Sequence, residues 1–330
     1  MIVTAPVPLV TFPPYLPERF DGQRIRNLSV TQLDTLLGCP ERYRRERILG
    51  EFDTPSGEAH LGNCFDRGVE LYMHNKIQGQ QFSTEDACEA YVLEWERSER
   101  KANDRGAPIR FGEKADRADF HTLYHAGLSG LHAYLAPDGL GNSFRPIAVQ
   151  HRLEMKVLPD DHQLQMSVRG ETPDAAHSLE PVRVMDHVFW TVVFVLDILA
   201  RDEHDEIVVI DNKIKRSFVS DPDSNLQATG YLAAKVREGR PASRFAFHTV
   251  NYGEPKLEVL EQPTTRTPEQ LNAFWLRVAQ AARRLDFYSR AYAPEEPWDL
   301  AYPGTYRLCN PHNCQFFEVC PGGRGIGDQP

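Results

Sequence analysis

The sequence has no run of about 18 apolar residues, so nothing in it reads as a membrane-spanning helix. Its opening, MIVTAPVPLVTFPPYLPERF, has no basic flank, and the prolines break the apolar stretch that a secretion signal needs. A cytoplasmic protein with no membrane partner is expected. A glycine-rich phosphate loop is missing too, which argues against an ATP-driven motor in this chain. Internal repeats and low-complexity segments do not occur. Positive charge is in deficit: 37 Lys and Arg against 47 Asp and Glu leave a formal charge of -10. That excludes a uniformly basic coat for nucleic acid, although a local basic groove remains compatible with it. What is present, 41% hydrophobic and 25% charged residues over 330 positions, suffices for a large core, as one elaborated domain or two closely joined ones.

The first half reads as helical. SVTQLDTLLGCPERYRRERIL suggests a helix entered at Ser29 or Thr31 and restarted at Pro40. Apolar positions Leu61, Phe65, Val69 and Tyr72 mark a second helix, Ser83 with Asp86 caps a third, and Phe120 to Leu131 lie on a fourth. Near residue 146 the pattern changes. PIAVQHRLEMKVL alternates as a strand, 159–181 reads as a polar insertion, and FWTVVFVLDILA and EIVVIDNKI form a hairpin about the polar turn RDEHDE. A helix capped at Ser224 and stopped at Gly239 follows, then two strands, then a helix opened by Thr267 and Pro268. The expected division is a helical part (1–145), a core (146–300) and a cysteine-bearing segment (301–330), with the terminal PGGRGIGDQP mobile.

The stretch IVVIDNKIKRS places Asp211 and Lys213 two apart, on one face at the end of a run apolar on both faces. If the hairpin turns near His204, Asp197 falls almost opposite Asp211. A salt bridge that merely closes the hairpin would explain a bare D-x-K. Two carboxylates converging beside a lysine also suit a hard divalent cation, Mg2+ or Mn2+, with oxygen ligands at about 2.0 to 2.1 Å. Such an ion lowers the pKa of a bound water, and the lysine orients it, which is the chemistry of phosphodiester hydrolysis.

Taken in order, these motifs resemble the PD-(D/E)XK nucleases, and within them the RecB-like branch. FVLDILARDEHDEIVVIDNKIK resembles the metal-binding acid followed by the (D/E)-x-K strand, carried by Asp197, Asp211 and Lys213. QATGY, with Gln227 and Tyr231 one helical turn apart, is similar to the branch's Q-x-x-x-Y signature, which implies contact with DNA. The N-terminal helix ending in Cys-Pro is similar as well. The branch's Gly, His and Glu helix is represented by Gly62, Asp66 and Glu70, so an acid stands in the His position; Asp66 is expected as a substitute metal ligand with Glu70 in support. An exposed helix acid is the plain alternative for Asp66. The basic runs RYRRERI and KIKR then become expected DNA contacts through Arg44, Arg45, Lys215 and Arg216.

Cys309, Cys314 and Cys320 supply three soft ligands and need a fourth. His312 would make a structural Zn2+ site and Cys39 a four-thiolate set suited to [4Fe-4S]; spacing alone leaves both open. The resemblance favours Cys39, because a subset of RecB-like nucleases, including the AddB and CRISPR-adaptation nucleases, places one cluster cysteine before the nuclease motifs and three after. Cys64 and Cys88 are expected as small apolar fillers. The fold expected is α/β in an α+β layout, a mixed sheet flanked by helices with a C-terminal iron-sulfur clasp. The function implied is a metal-dependent exonuclease acting on DNA ends or single strands, with protein partners in a repair, recombination, phage or CRISPR-type system. A DNA-binding or assembly subunit that has lost cleavage is the second reading, and a zinc-stabilised interaction protein with no DNA role the third.

Overall fold

The computed structural model describes residues 27–51, 56–112, 118–157, 168–170, 190–253, 256–292, 296–298, 309, 314–317 and 320. The terminal tail, His312 and nearly all of the expected insertion at 159–181 lie outside the described residues. The architecture is the expected mixed α/β arrangement. A seven-stranded sheet runs β3-β2-β4-β5-β6-β7, with β1 added against β4. Its strands are β1 (Asn27–Ser29), β2 (Arg145–Val157), β3 (Val168–Gly170), β4 (Trp190–Arg201), β5 (Ile207–Lys215), β6 (Arg244–Asn251) and β7 (Glu258–Thr264). The pairs β1–β4 and β5–β6 are parallel and the others antiparallel. Pro263 sits on the edge strand β7, where a missing N–H costs no ladder bond.

Helices cover both faces. On one side α1 (Val30–Gly38), α6 (Leu226–Arg237) and α7 (Pro268–Ala291) bury Leu33, Leu232 and Phe274 against Phe194, Val209 and Phe245 of the sheet. On the other, α3 (Gly57–Ile77), α4 (Thr84–Asp104) and α5 (Phe120–Leu135) bury Phe65, Trp95 and Leu131 against Ile198, Ile210 and Val250. A short helix α2 (Pro40–Tyr43) continues into a π-helical turn at Arg44–Ile48.

Local signals explain where the helices start. Ser29, Ser83 and Thr267 each form a reciprocal capping box, satisfying backbone donors that would otherwise be orphaned. Cap substitution by Ala at such a position costs about 1 kcal/mol. Helix α6 differs from expectation by one residue: Asn225 caps it by accepting from Ala228 N–H, while the Ser224 hydroxyl donates to Asp221. Gly239, at φ +78, lies just past its C-terminus, a backbone that glycine adopts without steric cost.

Candidate active site

The site lies at a fork in the sheet. Antiparallel pairing of β4 with β5 runs from Arg201↔Ile207 to Ile198↔Ile210 and stops there. The next residues on the two strands are Asp197 and Asp211, so the hairpin does set the two acids across from each other. Beyond the fork the free edge of β4 is taken up by β1, through Asn27↔Thr191 to Ser29↔Val193.

A reversal of facing occurs at the same level. Val192, Phe194 and Leu196 pack into the core under α1, α6 and α7, whereas Ile198 and Ala200 pack under α3 to α5. Strand β2 reverses in step: Leu153 and Met155 belong to the first core, Val149 to the second. Between them is Gln150, at φ +49, directly across from Asp197 by the register Val149↔Ile198 and His151↔Leu196. That left-handed backbone is where β2 slips phase. Asp197 sits at the corresponding slip in β4, which lets a strand buried on both faces turn one acid outward.

Asp211 is 1% exposed. Its Oδ1 accepts a hydrogen bond from Gln227 Nε2 at 2.9 Å, and the same amide donates to Tyr231 Oη at 3.2 Å. Lys213 Nζ is 2.6 Å from Asp211 Oδ2 as an ion contact. The contact is off hydrogen-bond alignment, and Oδ2 is left buried with no hydrogen-bond partner. Gln227 and Tyr231 lie one turn apart on α6, so one helix face holds the carboxylate from above. Asp66 and Glu70 share a face of α3 and line a cleft of about 880 Å³ together with Asp197, Gln150, Arg67 and Arg97.

The charges in this corner shape one another. Burial, then the neighbouring charges of Asp211 and Asp66, push the Asp197 carboxyl well above the ordinary range. Asp66 is pushed up to about 7, first by burial; Lys213 pulls it down while Asp211 and Glu70 raise it. For Lys213, burial works against the ammonium, and the carboxylates of Asp211 and Asp197 outweigh it, so its pKa rises. The four groups Asp66, Asp197, Asp211 and Lys213 therefore form one electrostatic unit.

Among the described residues no group of three or more His, Cys, Asp or Glu is arranged so that it would hold a metal ion as it stands. The donor chemistry nonetheless fits a hard divalent cation. A buried carboxylate oxygen lacks a hydrogen-bond donor, and two further carboxyls resist ionisation because of their neighbours. A cation relieves both conditions.

A pH dependence follows. Asp66 binds its proton more tightly folded, with a pKa of about 7, than at its ordinary value of 3.8. Its contribution to stability is therefore fully present below about pH 4 and lost as the pH rises through 7. In EDTA, Asp66→Asn is expected to melt about 2 °C or more above wild type at pH 8 and close to it at pH 4, followed by thermal denaturation. Added Mg2+ should raise the wild-type melting temperature more at pH 8 than at pH 5.5. A wild type and variant whose difference does not change with pH would contradict this account of Asp66.

The basic residues divide. Lys215 is half-buried, with its pKa lowered by burial and by Lys213, and Arg216 is exposed beside it. Arg44 corrects the expectation of a DNA contact. Its guanidinium is 4% exposed and engages Glu41 twice at 2.7 Å, through Nε to Oε2 and Nη2 to Oε1. Arg45 is likewise committed, to Glu41 at 2.9 Å and Glu51 at 3.0 Å, with Phe316 under its guanidinium. Glu41 also accepts from Trp298 N–H at 2.9 Å. RYRRERI thus binds the chain's own C-terminal segment. Sequence reasoning saw a basic run and missed the single buried glutamate that organises it.

All six cysteines are free thiols. Burial and the charges of Cys39, Cys314 and Cys320 raise the Cys309 pKa, and burial raises that of Cys314, with Cys39 and Cys320 adding to it. The terminal trio is therefore within electrostatic reach of Cys39, across most of the sequence. Cys64 is fully buried, its thiol pushed up to about 12 by burial, which makes it inert as a nucleophile. Of the other polar residues weighed in the sequence, His151 pairs with Glu238 at 3.3 Å and Glu154 with Arg152 at 2.6 Å, both apart from the acid cluster.

A forked mixed sheet carrying two acids and a lysine at its branch, with a third acid from a helix, defines a family of phosphodiester hydrolases. The chain belongs to the PD-(D/E)XK nuclease superfamily, whose family model matches residues 27–321. No curated protein sequence matches the chain. Two solved structures resemble it. A protein from Eubacterium rectale provisionally described as an exonuclease is 12% identical, with 95% of this chain and 93% of that one covered and a TM-score of 0.43. The protein SSO0001 is 13% identical, with 90% and 87% covered and a TM-score of 0.36. The family match carries the assignment, and the two structures add no further argument.

Proposed function

We propose that this nuclease is a metal-dependent deoxyribonuclease of the RecB-like type, acting as an exonuclease on DNA ends or single strands. The observation that carries the reading is the meeting of Asp66, Asp197, Asp211 and Lys213 at the fork, with Gln227 bonded to Asp211. Asp66, Asp197 and Asp211 would hold Mg2+ or Mn2+. Such an ion, when bound, supplies charge neutralisation at the phosphate and a more acidic water. Lys213 orients that water for in-line attack, and its retained positive charge suits it to stabilise the negative charge that develops at phosphorus. Gln227 fixes Asp211, and Tyr231 fixes Gln227. Lys215 and Arg216 extend the lysine's strand and provide positive charge for the DNA backbone.

The RecB-like reading is supported by the spacing and bonding of Gln227 and Tyr231, and by the electrostatic contact of Cys39 with the terminal cysteines. A [4Fe-4S] cluster on Cys39, Cys309, Cys314 and Cys320 would tie residue 39 to the chain's end and act as a staple. The place of action is the cytoplasm, with protein partners of a repair, recombination, phage or CRISPR-type system. Among the described residues no helix is long and apolar enough to cross a membrane.

The test uses linear DNA labelled at one end and a covalently closed circle, single- and double-stranded, each with Mg2+ and Mn2+. Release of short labelled products with the circle left intact is expected. Cleavage of the circle at the same rate would sink the exonuclease assignment.

A further inference from the structure

Gln150 is exposed, sits in the interior of β2, and holds φ at +49. The other non-glycine residue with positive φ, Asp205, is in the β4–β5 turn, where Asp tolerates the left-handed region well. Gln has no such preference, and a strand interior offers no turn to justify it. A glycine would adopt this backbone freely and would still permit the phase slip opposite Asp197. The glutamine instead places a long neutral amide on the cleft wall beside Asp66, Glu70 and Asp197.

The composition of that wall shows what the amide is suited to. Arg67 is paired with Glu70 at 3.0 Å and Arg97 with Glu94 at 2.7 Å, so both arginines of the wall are held by carboxylates. The acids outnumber them and repel a phosphodiester. A neutral NH2 donor meets the phosphate without displacing an ion pair and without drawing a cation away from the acids. We propose that the Gln150 side-chain amide is a substrate contact, donating a hydrogen bond to a phosphate oxygen of the nucleic-acid strand that lies in the cleft beside Asp197. The inference rests on the nuclease reading above and adds a residue outside its acid-and-lysine machinery.

Gln150→Gly isolates the side chain, because it keeps the backbone conformation and removes only the amide. Binding of a fluorescein-labelled single-stranded oligonucleotide is measured by anisotropy in EDTA, where no metal-dependent cleavage consumes it. The Kd is expected to rise about fivefold, the loss of one hydrogen bond to a charged acceptor. The melting temperature should rise by about 2 °C as the strained backbone is relieved. In Mg2+, KM should rise by a similar factor with kcat within about twofold, and Gln150→Asn, which tolerates the same backbone, should recover part of the affinity. A Kd equal to wild type in Gln150→Gly overturns the proposal, whatever the melting temperature does, and so does a wild type that does not bind the strand. A wild type that binds but never cleaves would remove the nuclease reading and leave this contact standing.

Discussion

Lys213→Ala is expected to slow phosphodiester cleavage by about a thousandfold, in the range found for loss of a group that moves or orients a proton in the transition state. Lys213 has the strongest electrostatic position in the site. It lies 2.6 Å from a carboxylate oxygen that has no hydrogen-bond partner, with Asp197 and Asp66 also acting on it. Those neighbours keep it protonated despite burial, so its role is that of a fixed cation and donor and not of a base that titrates near neutrality. The fold should survive, because Asp211 retains its bond from Gln227. Circular dichroism of wild type and variant should superimpose while the single-turnover rate collapses. Retention of more than a tenth of the wild-type rate would remove Lys213 from the chemistry.

Glu41→Ala should destabilise the protein by about 3 to 5 kcal/mol, the cost of leaving a buried charge without its partner. The carboxylate is 1% exposed and serves Arg44, Arg45 and the Trp298 backbone at once. Burial opposes its ionisation, and the hydrogen bonds from Arg44 and Trp298 hold its pKa below the usual value. Removing it strands the Arg44 guanidinium inside the protein and releases a segment whose Trp298 ring stacks on Tyr288, centroids 4.5 Å apart, and faces Tyr43. Urea unfolding followed by tryptophan fluorescence should show the midpoint falling, with the thermal midpoint lower by about 10 °C. Because the same segment carries the terminal cysteines towards Cys39, the loss should be accompanied by faster thiol labelling of Cys309. A change below about 1 kcal/mol would mean that the cluster around Glu41 is decorative.

Much of this was written in the sequence through short-range signals. Ser29, Ser83 and Thr267 announce their helices because a cap is a local hydrogen bond, and Asp197 meets Asp211 because a hairpin of known turn fixes its own register. Asp66 was recognisable through its spacing from Gly62 and Glu70, and α3 carries it to the cleft wall. Three features were not legible. The odd positions Ile147, Val149, Leu153 and Met155 of β2 are all apolar and predict one uninterrupted face, yet the structure divides them between two cores at Gln150. Strand β4 is apolar throughout, so its matching slip at Asp197 leaves no trace in the pattern. Arg44 and Arg45 looked like a surface run because burial by a segment more than 250 residues away has no local signature; the Glu41 to Trp298 bond spans 257 positions.

The most direct measurement of the central claim is the degradation of linear single- and double-stranded DNA by the purified wild-type protein, with Mg2+, with Mn2+ and with EDTA, beside Asp211→Asn. Degradation that needs the cation and disappears in the variant is the expected result. Intact DNA in every condition, or equal degradation by wild type and Asp211→Asn, would contradict a metal-dependent nuclease site at the β4–β5 fork.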